Sequence, residues 1–341
     1  MTIDQKRGRS ENLVHLSGLV YGLNLRGELP QEFRAYLHSS AEQIAGGERA
    51  IDVRYRVVRE LPEVDEIWVG ERRPPQRNSR LALFRQPDGF GLRVDCEGRG
   101  LFRVTASAIE VEWLPDGAGA AHYFFSYALP LWLESRGMPV LHASAVSFGD
   151  RAVGFLGPSG IGKSTLCVGL VSTGCDLVAD DGLVLRVDGH GDWRCLQGPP
   201  LARLWPSALE DHFGVSAKEL PRVYQSFEKR LMACTPKSVA KTAAGLTLAT
   251  VYMLDRKAES KGYVTISACS ARESLVRLLE HSLTGAPVAA LGLSAQRLDQ
   301  LSRVVSQIPV KTLRYPSGGD RWHLLREAIL EDLAGPSHQR S

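Results

Sequence analysis

The stretch VGFLGPSGIGKSTLCVGLVSTGCDLVADD, residues 153–181, decides how the chain is read. A strand-like apolar run, VGFL, leads into GPSGIGKS at 157–164, which fills the pattern G-x-x-x-x-G-K-[ST] at every defined position. Glycines at 157, 160 and 162 let a backbone wrap closely around an anion with its amide N–H groups turned inward. Lys163 supplies a mobile positive charge to the outer phosphates of a nucleotide, and Ser164 a hydroxyl suited to Mg²⁺. The following STLCVGLVSTG reads as a helix ending at Gly174, its positive N-terminus facing the same anion. Gly157, Pro158, Ser159, Gly160, Ile161, Gly162, Lys163, Ser164 and Thr165 are therefore the candidate nucleotide-binding residues, with ATP and Mg²⁺ as the expected ligands. A glycine-rich turn that binds nothing is the competing reading, and the strand–loop–helix context argues against it.

Past Gly174, CDLVADD reads as a strand ending in Asp180 and Asp181. One short helix and one strand separate them from Lys163. A right-handed crossover to a parallel strand would bring both carboxylates to the edge that carries the loop. One carboxylate there can coordinate a metal and the other can take a proton from an acceptor hydroxyl; either division fits the sequence. Upstream, VLHASAV and AVGFLG flank the turn SFGDR and read as a hairpin, which would carry the ring of His142 toward the loop. A histidine on an apolar strand also reads as a packed core residue. FEKRLM at 227–232 offers a further cation, Lys229 or Arg230, and LARLW offers Arg203; a clamp on transferring phosphoryl oxygens or a solvated basic turn are both open readings.

Working outward, PDGAGAA at 115–121 is a turn-rich break. Before it, runs such as IDVRYRVVREL, GFGLRV and LFRVTASAIEVEWL alternate with period 2, and LPQEFRAYLHSSAEQIA reads as one helix among them. The expected organisation is a disordered leader at 1–12, a β-rich domain at 13–120 and an α/β domain at 121–335. The second begins with HYFFSYALPLWLESRG, an apolar helix interrupted at Pro130, and closes with strand IPVKTLRYP and helix DRWHLLREAILEDL. The proline-containing stretch ERRPPQRNSR, Glu71 to Arg80, reads as a solvated loop or as a basic platform for an acidic partner. The chain has 341 residues, 44% hydrophobic and 23% charged, which excludes disorder as a description of the whole. A net charge of +3 is too mild to name nucleic acid or a membrane surface as the main partner. No apolar run approaches the roughly 18–20 residues of a membrane span, and no apolar segment backs the charged N-terminus as a secretory signal would. The six cysteines are scattered without a C-x-x-C pair, which points to reduced thiols and a cytoplasmic setting.

In order and spacing, His142 in LHASAV, the loop GPSGIGKS and the pair in LVADD resemble the catalytic domain of the HPr kinase/phosphorylase family. The resemblance is strong over about residues 138–190 and continues weakly through VYMLDR and ARESLVRLLEHSL; it does not reach the N-terminal region. It implies an α/β fold with a P-loop kinase core similar to phosphoenolpyruvate carboxykinase. It further implies phosphorylation of a serine on a protein, with Asp180 as general base, Asp181 and Ser164 near the metal, and His142 paired with the acidic group. Members of the family form hexamers, so a homo-oligomer is among its implications. The glycine-rich signature with a metal-linked glutamate that HPr kinases place after these strands is replaced here by LQGPPLARLWPSALEDHFG. HPr as acceptor and a phosphorylase activity are thereby left without support. The layout is more similar to the HPr-kinase-related kinases of lasso peptide clusters, some of which phosphorylate the C-terminal serine of a precursor peptide. The leading expectation is an ATP-dependent serine kinase acting on a peptide or small protein by direct in-line transfer. A nucleotide-binding regulatory module without phosphoryl transfer, and a kinase acting on an HPr-like protein or a small molecule, are the alternatives.

Overall fold

Strands fill the first third of the chain because their apolar positions recur at every second residue. The structure is a computed structural model describing residues 13–39, 50–72, 79–115, 117–236, 244–256, 263–316 and 321–335. The expected leader at 1–12 and residues 73–78 of the basic stretch lie outside the described residues. β1 (Leu13–Val20) and β2 (Leu23–Pro30) form a hairpin, with Val20 opposite Leu23. Tyr21 and Gly22 between them both take positive φ, +52° and +67°, as the tightest hairpin turn requires. The sheet continues with β3 (His38–Ser39), β4 (Ala50–Val57), β5 (Glu66–Arg72), β6 (Ser79–Gln86), β7 (Gly89–Asp95), β8 (Arg99–Val104) and β9 (Ala108–Trp113). Its spatial order is β3-β1-β2-β4-β9-β8-β7-β6-β5. Strand β4 runs parallel to both neighbours. In β9, Ile109, Val111 and Trp113 are buried, while Glu110 and Glu112 face outward onto Arg54 and Arg56 of β4.

Two helical readings change. Within 29–45, Leu29 and Pro30 complete β2, Gln31–Tyr36 form a 3₁₀ turn and His38–Ser39 are strand; residues 40–45 lie outside the described residues. Phe33 and Tyr36, three apart, are both buried, which suits a helix whose side chains eclipse at i and i+3. The apolar segment from Ala120 forms α1 (Ala120–Tyr123), a π-helical turn at Phe124–Ala128, and α2 (Leu129–Ser135). The Leu129 amide reaches back to Phe124 O, so the wide turn sits immediately before Pro130, which has no amide to give.

Residue contacts divide the chain into two units: one runs through Trp132 and includes Val223–Phe227, the other holds Leu133–Arg222 and Glu228 onward. The helical segment from Ala120 thus groups with the first unit as far as Trp132.

The second unit is mixed α/β. Its sheet is built from β10 (Val140–Leu141), β11 (Ala143–Phe148), β12 (Arg151–Leu156), β13 (Leu177–Ala179), β14 (Leu183–Val187), β15 (Trp193–Cys195), β19 (Leu246–Asp255), β20 (Thr265–Ala268) and β21 (Val310–Arg314). In sequence between β15 and β19 come β16 (Leu201–Leu204), β17 (Arg222–Tyr224) and β18 (Phe227–Ala233), of which Val223–Phe227 group with the first unit; β16 pairs β18 antiparallel, so FEKRLM is strand. At the centre β12 and β19 run parallel, as do β19 and β21, while β11 lies antiparallel to β12 and β13 on either side of it. Side chains of β19 alternate between two cores. Tyr252 and Leu254 face α3 (Lys163–Ser172) and α8 (Trp322–Ala334); Val251 and Met253 face α5 (Ala271–Glu280) and α7 (Ser294–Gln307). Gly169 on α3 is needed for close approach: a Cβ there would lie 2.3 Å from the Trp322 ring. Among the described residues no helix is long and apolar enough to cross a membrane.

Candidate functional site

The topology gathers the expected residues at one edge of this sheet. β12 ends at Leu156 and runs into the 157–164 loop. Antiparallel β11 begins there, with Ala143 opposite Leu156, so His142 stands at the same edge. β13 lies beyond β11 and runs in the direction of β12, so Asp180 and Asp181 emerge at that edge too. The crossover expected between β12 and β13 is present, with β11 inserted between the two strands.

In the loop, Gly160 and Gly162 take φ of +87° and +104°, a region L side chains rarely adopt. The Ile161 amide bonds Pro158 O at 3.2 Å, and Leu166 N–H to Gly162 O at 2.9 Å starts α3. Lys163 folds back over the loop: Nζ donates to Gly157 O at 2.8 Å and to Pro158 O at 3.3 Å. Its side chain is buried, which pushes its pKa down; Asp181 and Asp180 oppose that shift, and nearby Lys229 adds to it.

The two aspartates have different surroundings. Asp180 is buried, and both carboxylate oxygens accept hydrogen bonds, Oδ1 from Ser144 Oγ at 2.6 Å and Oδ2 from the Arg203 backbone N–H at 2.8 Å. Asp181 is more exposed, its side chain 26% accessible. It takes φ of +69°, a left-handed turn that aspartate tolerates better than most residues. Arg203 Nη1 donates to its Oδ2, and His142 Nδ1 lies 3.5 Å from its Oδ1. His142 Nδ1 also lies 3.2 Å from the Asp181 carbonyl oxygen. A carbonyl only accepts, so Nδ1 carries the proton in the neutral ring and Nε2 is left as the proton acceptor. Burial pushes the His142 pKa below the ordinary value, against the pull of Asp181.

The candidate clamps separate. Arg203 binds Asp181 through its guanidinium and Asp180 through its amide. Lys229 Nζ stands 5.6 Å from the centre of the Trp205 ring and acts on Lys163 through space. Arg230 does not present its charge to the loop: it is buried, with Nε donating to Ala217 O and Nη1 to Glu228 O, both at 2.8 Å. Ser164 is half-buried at the start of α3.

Several contributors escaped the sequence reading. Ser144 is one. Another is His281, whose carbonyl accepts the His142 amide at 2.7 Å and whose own pKa is lowered by burial, then by Lys163 and His142. A third is Arg256: a Cβ on Gly162 would lie 3.2 Å from its Nη1, so its guanidinium lies against the loop. Behind these, buried Glu134 and Arg297 form an ion pair around β10. Glu134 accepts the Val140 amide at 2.7 Å, and Arg297 donates to Val140 O at 3.0 Å and to Ser282 Oγ at 2.9 Å. The pair fixes the backbone immediately before His142.

No protein-family model matches the chain. No curated protein sequence matches it. Among solved structures, the Hpr(Ser) kinase/phosphatase from Coxiella burnetii aligns with 57% of this chain and 94% of its own, at 12% identity and a TM-score of 0.29. A likeness this loose transfers no activity.

Proposed function

We propose that the chain is a P-loop phosphotransferase that moves the terminal phosphoryl group of ATP onto a serine hydroxyl of a peptide or small protein. The observation that carries this reading is the convergence on one sheet edge of Lys163, which caps a glycine-rich loop, with the Asp180–Asp181 pair, His142 and Arg203. The peptide acceptor, and within it the C-terminal serine of a lasso precursor, rests on the sequence resemblance.

Phosphoryl transfer asks for positioning and charge rather than covalent help. The loop amides, Lys163 and the start of α3 would hold the phosphates. The acceptor O–H gives its proton to the Asp181–His142 pair as its oxygen forms a bond to the terminal phosphorus. The bond from that phosphorus to the bridging oxygen breaks, and ADP leaves. Asp181 takes this role here because it is the more exposed of the two and stands against His142, whereas Asp180 is buried against Ser144 and the Arg203 amide. Asp180 then supplies a fixed negative charge, and Arg203, which touches both aspartates, is placed to follow charge as it moves. The available donors, the Ser164 hydroxyl and the two carboxylates, are all oxygen, which fits Mg²⁺ held through one or two carboxylates and the phosphates. When bound, the ion would neutralise phosphate charge.

Incubation with ATP, Mg²⁺ and serine-containing precursor peptides encoded beside the gene, read by mass spectrometry, is expected to yield phosphopeptide. Peptides that all stay unmodified would contradict the acceptor assignment. Lys163→Ala is expected to melt near the wild-type temperature, to lose the ATP-induced rise in melting temperature, and to slow transfer by on the order of 10²–10³-fold. An undiminished ATP shift would contradict a phosphate-holding role for the loop.

A further inference from the structure

Two directions lead away from Lys163 along the sheet edge. One goes through β11 to β13 and the aspartates. The other goes to the tips of β19 and β21, where Pro158, Ile161, Met253, Arg256, Arg277 and His281 help line a cavity of about 600 Å³. That volume lies within the roughly 300–1,000 Å³ of small-molecule sites. We infer that this cavity holds the nucleoside of the phosphate donor, an inference that rests on the kinase reading above.

Three observations point there. In-line transfer sets the acceptor oxygen and the leaving oxygen on opposite sides of the phosphorus. With the acceptor next to Asp181, the rest of the donor is directed away from β13, and β19 and β21, whose tips line the cavity, lie on that side of β12. The cavity is also continuous with the phosphate loop. Pro158 and Ile161 belong to both, and the Arg256 guanidinium lies against Gly162 at the junction. A ligand there can share one phosphate chain with the loop. Finally, the lining suits a flat heterocycle with a sugar. Ile161 and Met253 offer apolar surface, and Arg277 and His281 offer planar groups that stack and donate hydrogen bonds. Arg277 is held over the rim between Glu280, 3.4 Å away, and Glu273, 3.9 Å away.

The test compares ATP with inorganic tripolyphosphate, measured by calorimetry on the whole chain. Two variants fill the cavity: Thr312→Trp from its β21 wall, and Glu280→Trp from an exposed position on α5 where folding is not at risk. The wild type is expected to bind ATP at least about tenfold more tightly than tripolyphosphate, and each filled variant to lose that preference while tripolyphosphate affinity stays within about twofold. Equal wild-type affinity for the two ligands, or an ATP preference that survives in Glu280→Trp, overturns the cavity assignment and leaves the kinase reading standing. So does loss of both ligands in Glu280→Trp with an unchanged melting temperature. Failure of the wild type to bind either ligand overturns the kinase reading and the cavity assignment together.

Discussion

The two units treat buried charge in opposite ways. Among the described residues, the first buries His38, Ser79, His122 and Ser126 as its polar side chains, and no carboxylate, lysine or arginine. Its charges lie in pairs on the outer face of the sheet, as Arg54–Glu110 and Arg56–Glu112 do. The second unit buries Glu134, Lys163, Asp180, Arg203, Arg230 and Arg297. A buried ion costs several kcal/mol unless it is paired and hydrogen-bonded, so a fold keeps such groups where they have partners or work to do. Arg297 and Glu134 satisfy each other, and Arg230 is spent on carbonyls. Lys163, Asp180 and Arg203 are gathered instead at the sheet edge that carries the glycine-rich loop, Lys163 on its carbonyls, Asp180 on Ser144 and Arg203 on Asp181.

Four substitutions sharpen this contrast, the two aspartates of the site first and then the structural pairs in falling order of effect. Asp181→Asn is expected to slow transfer by about 10²–10⁴-fold and, by leaving buried Arg203 without its counter-charge, to lower the melting temperature too. Asp180→Asn is expected to cost about 1–3 kcal/mol of stability as well, because an amide cannot accept from both Ser144 and the Arg203 amide. Equal transfer rates of the two variants would remove the distinction drawn between them. Glu134→Gln leaves Arg297 buried without its counter-charge, and chemical denaturation is expected to show a loss of about 3–5 kcal/mol. Burial lowers the Arg297 pKa only to about 10, so the group stays charged at pH 7 and the variant must bury that charge unpaired. At the small end, Arg54→Ala in the first unit is expected to cost under about 1 kcal/mol, and a larger loss would mean that unit relies on charge after all.

His142 gives the contrast a pH signature. Its folded pKa lies below the ordinary value near about 6.5, so the ring is neutral at pH 7. The folded state binds fewer protons than the unfolded chain between the two values. Stability is therefore fully present above about pH 6.5 and falls as pH drops below it. Transfer should fall on the same acid side as Nε2 becomes protonated. Rate profiles of the wild type and His142→Gln are expected to differ by that acid limb; identical profiles would show that the ring takes no part.

How much of this was legible in the sequence follows from the range of each interaction. The loop, its helix and the strand ending in Asp180 are consecutive, so local pattern sufficed for them, and VLHASAV with AVGFLG formed the expected hairpin. The differing environments of Asp180 and Asp181 were not legible, because they depend on Ser144 and Arg203, brought in by separate strands. Arg230 looked equivalent to Lys229 as a candidate cation; neighbours on one strand point to opposite faces, and only tertiary contacts decide which meets the loop. The helix expected over 29–45 failed where β2 and β3 compete for the same residues.

The most direct test is a crystal structure of the full chain with Mg²⁺ and a non-hydrolysable ATP analogue. The terminal phosphate is expected within hydrogen-bonding distance of Lys163 Nζ on the side facing Asp181. Phosphate density outside the 157–164 loop, or a terminal phosphate directed away from Asp181, would contradict it.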